Sequence, residues 1–201
     1  MAEQYFAANP GAAHDEKTVI FNVLGQELRC VTDAGVFSRD GLDMGTRVLL
    51  EALPELRGRV LDLGCGWGPV GVALGRRNPE LEILMTDVNA RAVELAARNL
   101  RANGVSNART AQSDGFECVE GDFDAIVLNP PIRTGKAVIY GLFADAARRL
   151  RPGGELYVVI RKQQGAESAQ KYLSTIFSRV ERIAREKGYW VLLCAEPGTE
   201  K

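Results

Sequence analysis

Histidine is almost missing from this chain: His14 is the single one in 201 residues. Imidazole acid–base chemistry and histidine-built metal centres are therefore set aside. The polar surroundings Asn9-Pro10-Gly11-Ala12-Ala13-His14-Asp15-Glu16 mark that one side chain as solvated. Cysteine is sparse and scattered. Cys30, Cys65, Cys118 and Cys194 stand singly with no C-x-x-C pair, so spacing offers no metal site and no metal is expected. No apolar run approaches the roughly 20 residues that cross a bilayer. The start, Met1-Ala2-Glu3-Gln4, is neither basic nor followed by an apolar core. These absences predict a cytoplasmic protein with no membrane partner and no disulfides. Repeats and low-complexity tracts are absent too.

What is present is ordinary in amount and uneven in placement. A 46% apolar and 25% charged composition is that of a globular protein with a self-sufficient core. Net charge is −1, but residues 133–190 carry twelve Lys/Arg against five Asp/Glu, whereas residues 1–132 carry twelve against nineteen. A basic face for phosphates is compatible with that split. Arg148, Arg149 and Arg151 fit the C-terminus of a helix, where the dipole favours cations; Arg133, Lys136, Arg161 and Lys162 have no such explanation.

Periodicity predicts a hairpin from strands 18–23 and 27–31, then a helix over 43–53 stopped by Pro54. From Arg59 onward, short β-branched runs near 59–63, 81–86, 105–111, 123–128, 154–161 and 189–196 alternate with helical stretches near 69–77, 90–103, 137–150 and 166–178. The turn Arg151-Pro152-Gly153-Gly154 separates the third helix of this series from the next strand. Near-continuous apolar strands alternating with helices mean an α/β fold, a doubly wound and mostly parallel sheet. The last strand can be antiparallel after the segment 180–187. Residues 1–54 read as an N-terminal extension of hairpin and helix, residues 55–201 as the core.

Asp62-Leu63-Gly64-Cys65-Gly66-Trp67-Gly68 falls at the carboxyl end of the first core strand, where open α/β sheets bind ligands. Asp87 ends the second core strand, followed by Val88. A carboxylate there can accept both hydroxyls of a ribose, which fits NAD and S-adenosylmethionine alike. Gly66-x-Gly68-x-x-Gly71 also satisfies the dinucleotide fingerprint. Asp62 separates the two readings: it would repel a pyrophosphate and attract a cationic ammonium and sulfonium, so S-adenosylmethionine is favoured. Asp114, after the third core strand, can accept from an adenine amine or can simply belong to an Asp-Gly turn.

After the fourth core strand comes Asn129-Pro130-Pro131-Ile132. Proline cannot donate and fixes φ, so the carbonyls around it are held out rather than absorbed by a helix. An amide oxygen and a backbone carbonyl converging on one point suit a planar NH2 group. The same tetrapeptide can also be a strand-ending turn.

Together these residues resemble class I S-adenosylmethionine-dependent methyltransferases acting on exocyclic or amide nitrogen. Gly35-Val36-Phe37-Ser38-Arg39-Asp40-Gly41-Leu42-Asp43-Met44-Gly45-Thr46, Asn129 to Lys136, and Val159 to Ala166 are more specifically similar to small-domain ribosomal RNA guanine-N2 methyltransferases, over essentially the whole chain. The resemblance implies a seven-stranded Rossmann-like methyltransferase sheet and S-adenosylmethionine as cofactor. It implies ribosomal RNA or the small ribosomal subunit as partner. It assigns Asp62, Gly64, Cys65 and Gly66 to the methionine end of the cofactor, with Thr46 near the carboxylate and Asn129 beside it. Asp87 and Val88 fall at the ribose, and Asp114 at the adenine. Asn129, Pro130, Pro131 and Ile132 would form the catalytic rim; Phe37, Ser38, Arg133 and Lys136 would border the acceptor pocket, with Arg161 and Lys162 on phosphates. Two departures stand out. Related ribosomal enzymes often carry a second, degenerate copy of the domain, and they commonly place an aromatic residue where Ile132 stands. Stacking on a base then falls to Phe37 or Trp67. The rival readings are methylation of a glutamine side-chain amide, a non-catalytic RNA-binding protein keeping the fold, and a nicotinamide-linked oxidoreductase.

Overall fold

Alternation governs the start of the chain. In the computed structural model, which describes residues 8–9 and 11–198, β1 (Lys17–Val23) and β2 (Gln26–Thr32) pair antiparallel, with Val19, Phe21, Val23, Leu28 and Cys30 on the buried face. Met1 to Gln4 lie outside the described residues. Leu24 and Gly25 both take positive φ (53° and 72°), the two-residue turn whose twist matches paired strands. His14 is 72% exposed at its side chain, with Nδ1 against the Asp33 carboxylate. A loop then leads to α1 (Met44–Ala52), whose N-terminus is capped by the Asp43 side chain.

The remainder alternates as expected: β3 (Arg59–Leu63), α2 (Pro69–Arg77), β4 (Glu82–Asp87), α3 (Ala90–Ala102), β5 (Ala108–Gln112), β6 (Phe123–Leu128), α4 (Lys136–Arg148), β7 (Leu150–Arg161), α5 (Ala166–Leu173), β8 (Phe177–Glu186) and β9 (Tyr189–Pro197). Seven strands form one sheet in the order β5-β4-β3-β6-β7-β9-β8, parallel from β5 through β7, with β9 antiparallel to both neighbours. Each face carries its own apolar layer. Val60, Met85, Val127 and Tyr157 join the hairpin and α1 to α3, while Leu61, Leu84, Ile126 and Leu156 pack on α4 and α5.

Two expectations are corrected. The helix expected over 166–178 stops at Leu173, and Phe177–Glu186 is an edge strand instead. Most of that strand is exposed and it shifts register between Arg182 and Ala184, so it lacks the clean apolar alternation by which strands are read. The turn expected at 151–154 lies inside β7, because Leu150 already pairs with Phe123 before a register shift.

The hairpin is fastened to the core by amides. Asn99 on α3 donates to the carbonyl oxygens of Val31 (2.9 Å) and Trp67 (2.8 Å) and accepts from Val31 N (2.7 Å). Asn103 treats Arg29 in the same way, at 2.9 and 3.3 Å. Two asparagines thus satisfy backbone groups of a strand edge that would otherwise be open.

Candidate active site

The register of the sheet assembles the site. Leu63 pairs with Thr86 on one side and Leu128 on the other, so the residues that follow β3, β4 and β6 emerge side by side. Gly64, Asp87 and Asn129 all lie at this carboxyl edge, where β3 is flanked by strands whose connections run in opposite directions. That is the switch point at which open sheets bind ligands. A cleft of about 320 Å³ opens there, lined by Asp87 and Val88 from β4 and its loop, Ser113 and Asp114 beyond β5, and Asn129, Pro130 and Pro131 beyond β6. A smaller hollow of about 40 Å³ adjoins it, sharing Phe37, Gly64, Gly66 and Asn129 and reaching Asp43, Thr46, Asp62 and Cys65.

Gly64, Gly66 and Gly68 all have positive φ (72°, 56° and 92°), a path side chains resist. Their reasons differ. A Cβ on Gly64 or Gly66 would meet nothing within 4 Å, so those two keep the cleft open and the backbone bent. On Gly68 it would lie 2.9 Å from Met85 Cε, and on Gly71 only 2.3 Å from Met85 Sδ, so these two let α2 sit close on the sheet. The amides of Gly64 and Cys65 donate to Thr86 O (2.8 Å each), Gly66 N to Asp87 Oδ2 (2.8 Å) and Gly68 N to Cys65 O (3.0 Å). A pyrophosphate cradle needs free N–H groups. This loop has spent these four internally, which speaks against a dinucleotide.

Asp62 is buried and accepts from Gly71 N (3.0 Å), placing its charge under the N-terminus of α2. Burial pushes its carboxyl up to about 7, the Asp87 charge adds to that, and the Gly71 N–H opposes it. Asp87 accepts from Gly66 N and from Asn89 N (2.9 Å); burial raises its pKa against those bonds. Burial also raises the Cys65 thiol well above its ordinary value. Asp114 is exposed on the cleft wall, while buried Ser113 donates to Gly115 O (3.0 Å) and shapes the turn.

Asn129 is held at one end of its amide. Its Nδ2 donates to Thr46 Oγ1 (3.0 Å) and to Asp43 Oδ2 (3.2 Å). Both partners take the same end of the amide, which leaves Oδ1 as the end turned away from them. Pro130 and Pro131 line the larger cleft beside it. Phe37, 38% exposed, lines both hollows, and Ser38 lines the smaller. Their loop is held by Trp67 Nε1 donating to Ser38 O (3.3 Å) and Asn89 Nδ2 to Gly35 O (2.9 Å).

Trp67 and Ile132 sit otherwise than their roles require. Trp67 is 1% exposed, edge-on to Phe21 at 5.7 Å, so it belongs to the core and cannot stack on a base. Ile132 opens a short 3-10 turn and packs on the α4–α5 apolar layer; the cleft is lined by Pro131 and Thr134 on either side of it. Arg133, Lys136, Arg161 and Lys162 are exposed around the cleft rather than in its lining. Arg161 lies 5.9 Å over the Tyr189 ring and Lys162 lies 3.8 Å from Glu167. Sequence reasoning passed over Asp43. Its visible signal is its place as a helix cap three residues before Thr46, but nothing local ties it to Asn129, 86 residues away. The apolar walls Val138 and Leu142 from α4 were also passed over, since they read as ordinary helix positions.

Comparisons with known proteins bear on the chain as a whole. Residues 27–193 match the model of the methyltransferase small domain. The chain is 39% identical over 196 residues to Uncharacterized protein YbxB of Bacillus subtilis (strain 168), covering 96% of this chain and 98% of that protein. It is 44% identical over 140 residues to Ribosomal RNA small subunit methyltransferase C of Hahella chejuensis (strain KCTC 2396), covering 67% of this chain and 41% of that one. Among solved structures, the T. thermophilus 16S rRNA N2 G1207 methyltransferase, in complex with AdoMet and guanosine, superposes with a TM-score of 0.81 at 30% identity. That match covers 90% of this chain and 50% of its counterpart. The chain thus spans about half the length, or less, of these two ribosomal RNA methyltransferases. With the matched region running from the hairpin to the last strand, the chain belongs to the methyltransferase small domain family.

Proposed function

We propose that this protein transfers a methyl group from S-adenosylmethionine to the exocyclic N2 amine of a guanine in small-subunit ribosomal RNA, working in the cytoplasm. The observation that carries the reading is the anchored amide of Asn129, whose nitrogen is held by Asp43 and Thr46 so that its oxygen is the end left for an acceptor.

The cleft suits the cofactor. Gly64 and Gly66 leave open space where a Cβ would stand, Asp87 keeps lone pairs for ribose hydroxyls after its two backbone bonds, and Val88, Leu128, Pro131 and Leu142 offer apolar walls for a purine. Asp62 gives the smaller hollow the negative charge that an ammonium group requires. When bound, S-adenosylmethionine supplies a methyl group on a sulfonium, which becomes a neutral thioether once that methyl has left.

The chain's own residues act on the acceptor. A guanine amine is a poor nucleophile because its lone pair is delocalised into the ring. Asn129 Oδ1 and the Pro130 carbonyl each accept one of its hydrogens, which draws the nitrogen toward pyramidal geometry and aims the lone pair out of the ring plane. Positioning of this kind can supply about 7–11 kcal/mol of a barrier. The same two oxygens stabilise the positive charge that grows on nitrogen as the N–C bond forms. The alkylated nitrogen then loses a hydrogen to solvent as an acidic proton, so no histidine is needed. Phe37 provides the exposed ring against which a base can stack. Arg133, Lys136, Arg161 and Lys162 would contact phosphates, which position a substrate without reading its sequence. The target must be unpaired or flipped, since N2 cannot be attacked within a stack.

The test offers labelled S-adenosylmethionine with small ribosomal subunits, naked ribosomal RNA and cell protein separately, to the wild type and to Asn129→Ala. Label is expected in RNA, on a nucleoside identified by mass as N2-methylguanosine, and lost in the variant. Label confined to protein would overturn the RNA acceptor; an Asn129→Ala protein as active as the wild type would overturn the mechanism.

A further inference from the structure

We propose that Asp43 is a positioning residue for methyl transfer: it fixes the Asn129 amide so that the oxygen, not the NH2 group, faces the acceptor amine. This inference rests on the reading of Asn129 as the amine's partner and deepens it.

An asparagine is nearly symmetric in shape, and its two ends have opposite hydrogen-bonding character. Turned by 180°, Asn129 would present donors to an acceptor amine that itself donates, and the site would repel its substrate. Something must choose the orientation. A carboxylate only accepts, so Asp43 Oδ2, 3.2 Å from Asn129 Nδ2, admits only the NH2 end. The second anchor is set by the same atom. Thr46 Oγ1 donates its single hydrogen to Asp43 Oδ2 (3.3 Å), which leaves that hydroxyl able only to accept from Asn129, at 3.0 Å. Asp43 therefore determines the amide's orientation directly and again through Thr46.

The carboxylate is itself held in place. Oδ2 accepts from Thr46 N at 2.9 Å as the cap of α1, which ties it to a buried helix rather than to a mobile loop. Gly45 supplies the clearance. A Cβ there would lie 3.0 Å from Asp43 Oδ2 and 2.9 Å from Tyr189 Cε1, so the carboxylate and the ring close over the space that any other residue would fill. The segment Asp43-x-Gly45-Thr46 is thus a cap, a gap and a relay serving a side chain 86 residues further on.

The test uses variants that separate capping from orienting. Asp43→Ser keeps a good N-cap but is too short to reach Asn129. Asp43→Asn keeps both the cap and an accepting oxygen at the same distance. Asp43→Ser is expected to lower kcat for RNA methylation by roughly tenfold to a hundredfold, the loss expected for a hydrogen bond to a charged group. The KM for RNA and the Kd for S-adenosylmethionine should change little, and Asp43→Asn should recover most of kcat. Nuclear magnetic resonance gives a readout independent of any substrate. The side-chain amide hydrogens of Asn129, assigned by their loss in Asn129→Ala, should exchange slowly in the wild type and Asp43→Asn and quickly in Asp43→Ser. Wild-type kcat in Asp43→Ser, or slow exchange there, would overturn the proposal; so would a loss in cofactor affinity that alone accounts for the lost activity. If the wild type methylates no RNA, the functional reading fails and the exchange measurement still decides this one. Should Asp43→Ser not fold, Thr46→Val leaves the cap carboxylate and removes one acceptor. Unchanged exchange and kcat in that variant would overturn the relay.

Discussion

The floor of the cleft and its rim are built on opposite principles. On the floor, Asp43, Asp62, Asp87 and Asn129 are each held by at least one hydrogen bond of 2.8–3.2 Å to a backbone or side-chain partner. On the rim, Arg133, Lys136, Arg161 and Lys162 are exposed, and their side-chain contacts among the described residues include Arg161 over a ring at 5.9 Å and Lys162 near a carboxylate at 3.8 Å. Electrostatic catalysis requires dipoles that need not move when charge develops. Phosphate binding tolerates flexible cations, because a charged backbone presents many equivalent partners. Under the proposed function, the floor would carry the chemistry and the rim the capture.

The comparison breaks if substitutions on the two parts give the same phenotype. The largest effect is expected on the floor: Asn129→Ala should reduce kcat by about a hundredfold to a thousandfold, as for loss of one oriented group at a charge-developing centre, with an unchanged melting temperature. Next comes Gly71→Ala. Its methyl would lie 2.3 Å from the sulfur of fully buried Met85, so overpacking should cost about 1–3 kcal/mol, measured by denaturant unfolding.

A subtler effect concerns pH. Burial raises the Asp62 carboxyl from 3.8 to about 7, so the folded, ligand-free protein holds that proton more tightly than the unfolded chain does. The stability it contributes is complete below the unfolded value and is lost as pH rises through about 7. An ammonium-bearing cofactor prefers the ionised form, so its affinity should rise across the same window, with proton release detectable by calorimetry in two buffers. Asp62→Asn should flatten both profiles; unchanged profiles would remove Asp62 from the cofactor site. The smallest effects belong to the rim. Arg133→Ala and Lys136→Ala should each weaken RNA binding a few-fold and lower the salt-dependence slope by about one, leaving kcat intact.

These parts were unequally legible in the sequence. Strands β3, β4, β6 and β7 announced themselves because strands buried on both faces are written as apolar runs, and the glycines between β3 and α2 marked a turn no other residue makes easily. Strand β8 did not, since an exposed edge strand with a bulge shares its charged alternation with a solvated helix. Asp62, Asp87 and Asn129 could be placed at the cleft from sequence because each stands at or next to the carboxyl end of a strand. Asp43 was missed because its role is a tertiary contact. Trp67 stands next to the site in sequence, but its ring is 1% exposed and packed edge-on to Phe21, beneath the loop it holds through Ser38 O. Local pattern locates side chains on an element, but only packing says which of them reach the cavity.

The sequence separations of the bonds on the floor carry a further consequence, for the order of assembly. Asp62 with Gly71 and Asp87 with Gly66 close loops of 9 and 21 residues, whereas Asn129 reaches back 83 and 86 residues to Thr46 and Asp43. Short loops close at lower entropic cost. A chain emerging N-terminus first can therefore shape the glycine loop and its two carboxylates while Asn129 and the walls beyond it have yet to be synthesised. In pulse-labelled hydrogen exchange, the amides of Gly66 and Gly71 are expected to gain protection before the side chain of Asn129, so the loop should be shaped before Asn129 is anchored along the folding path.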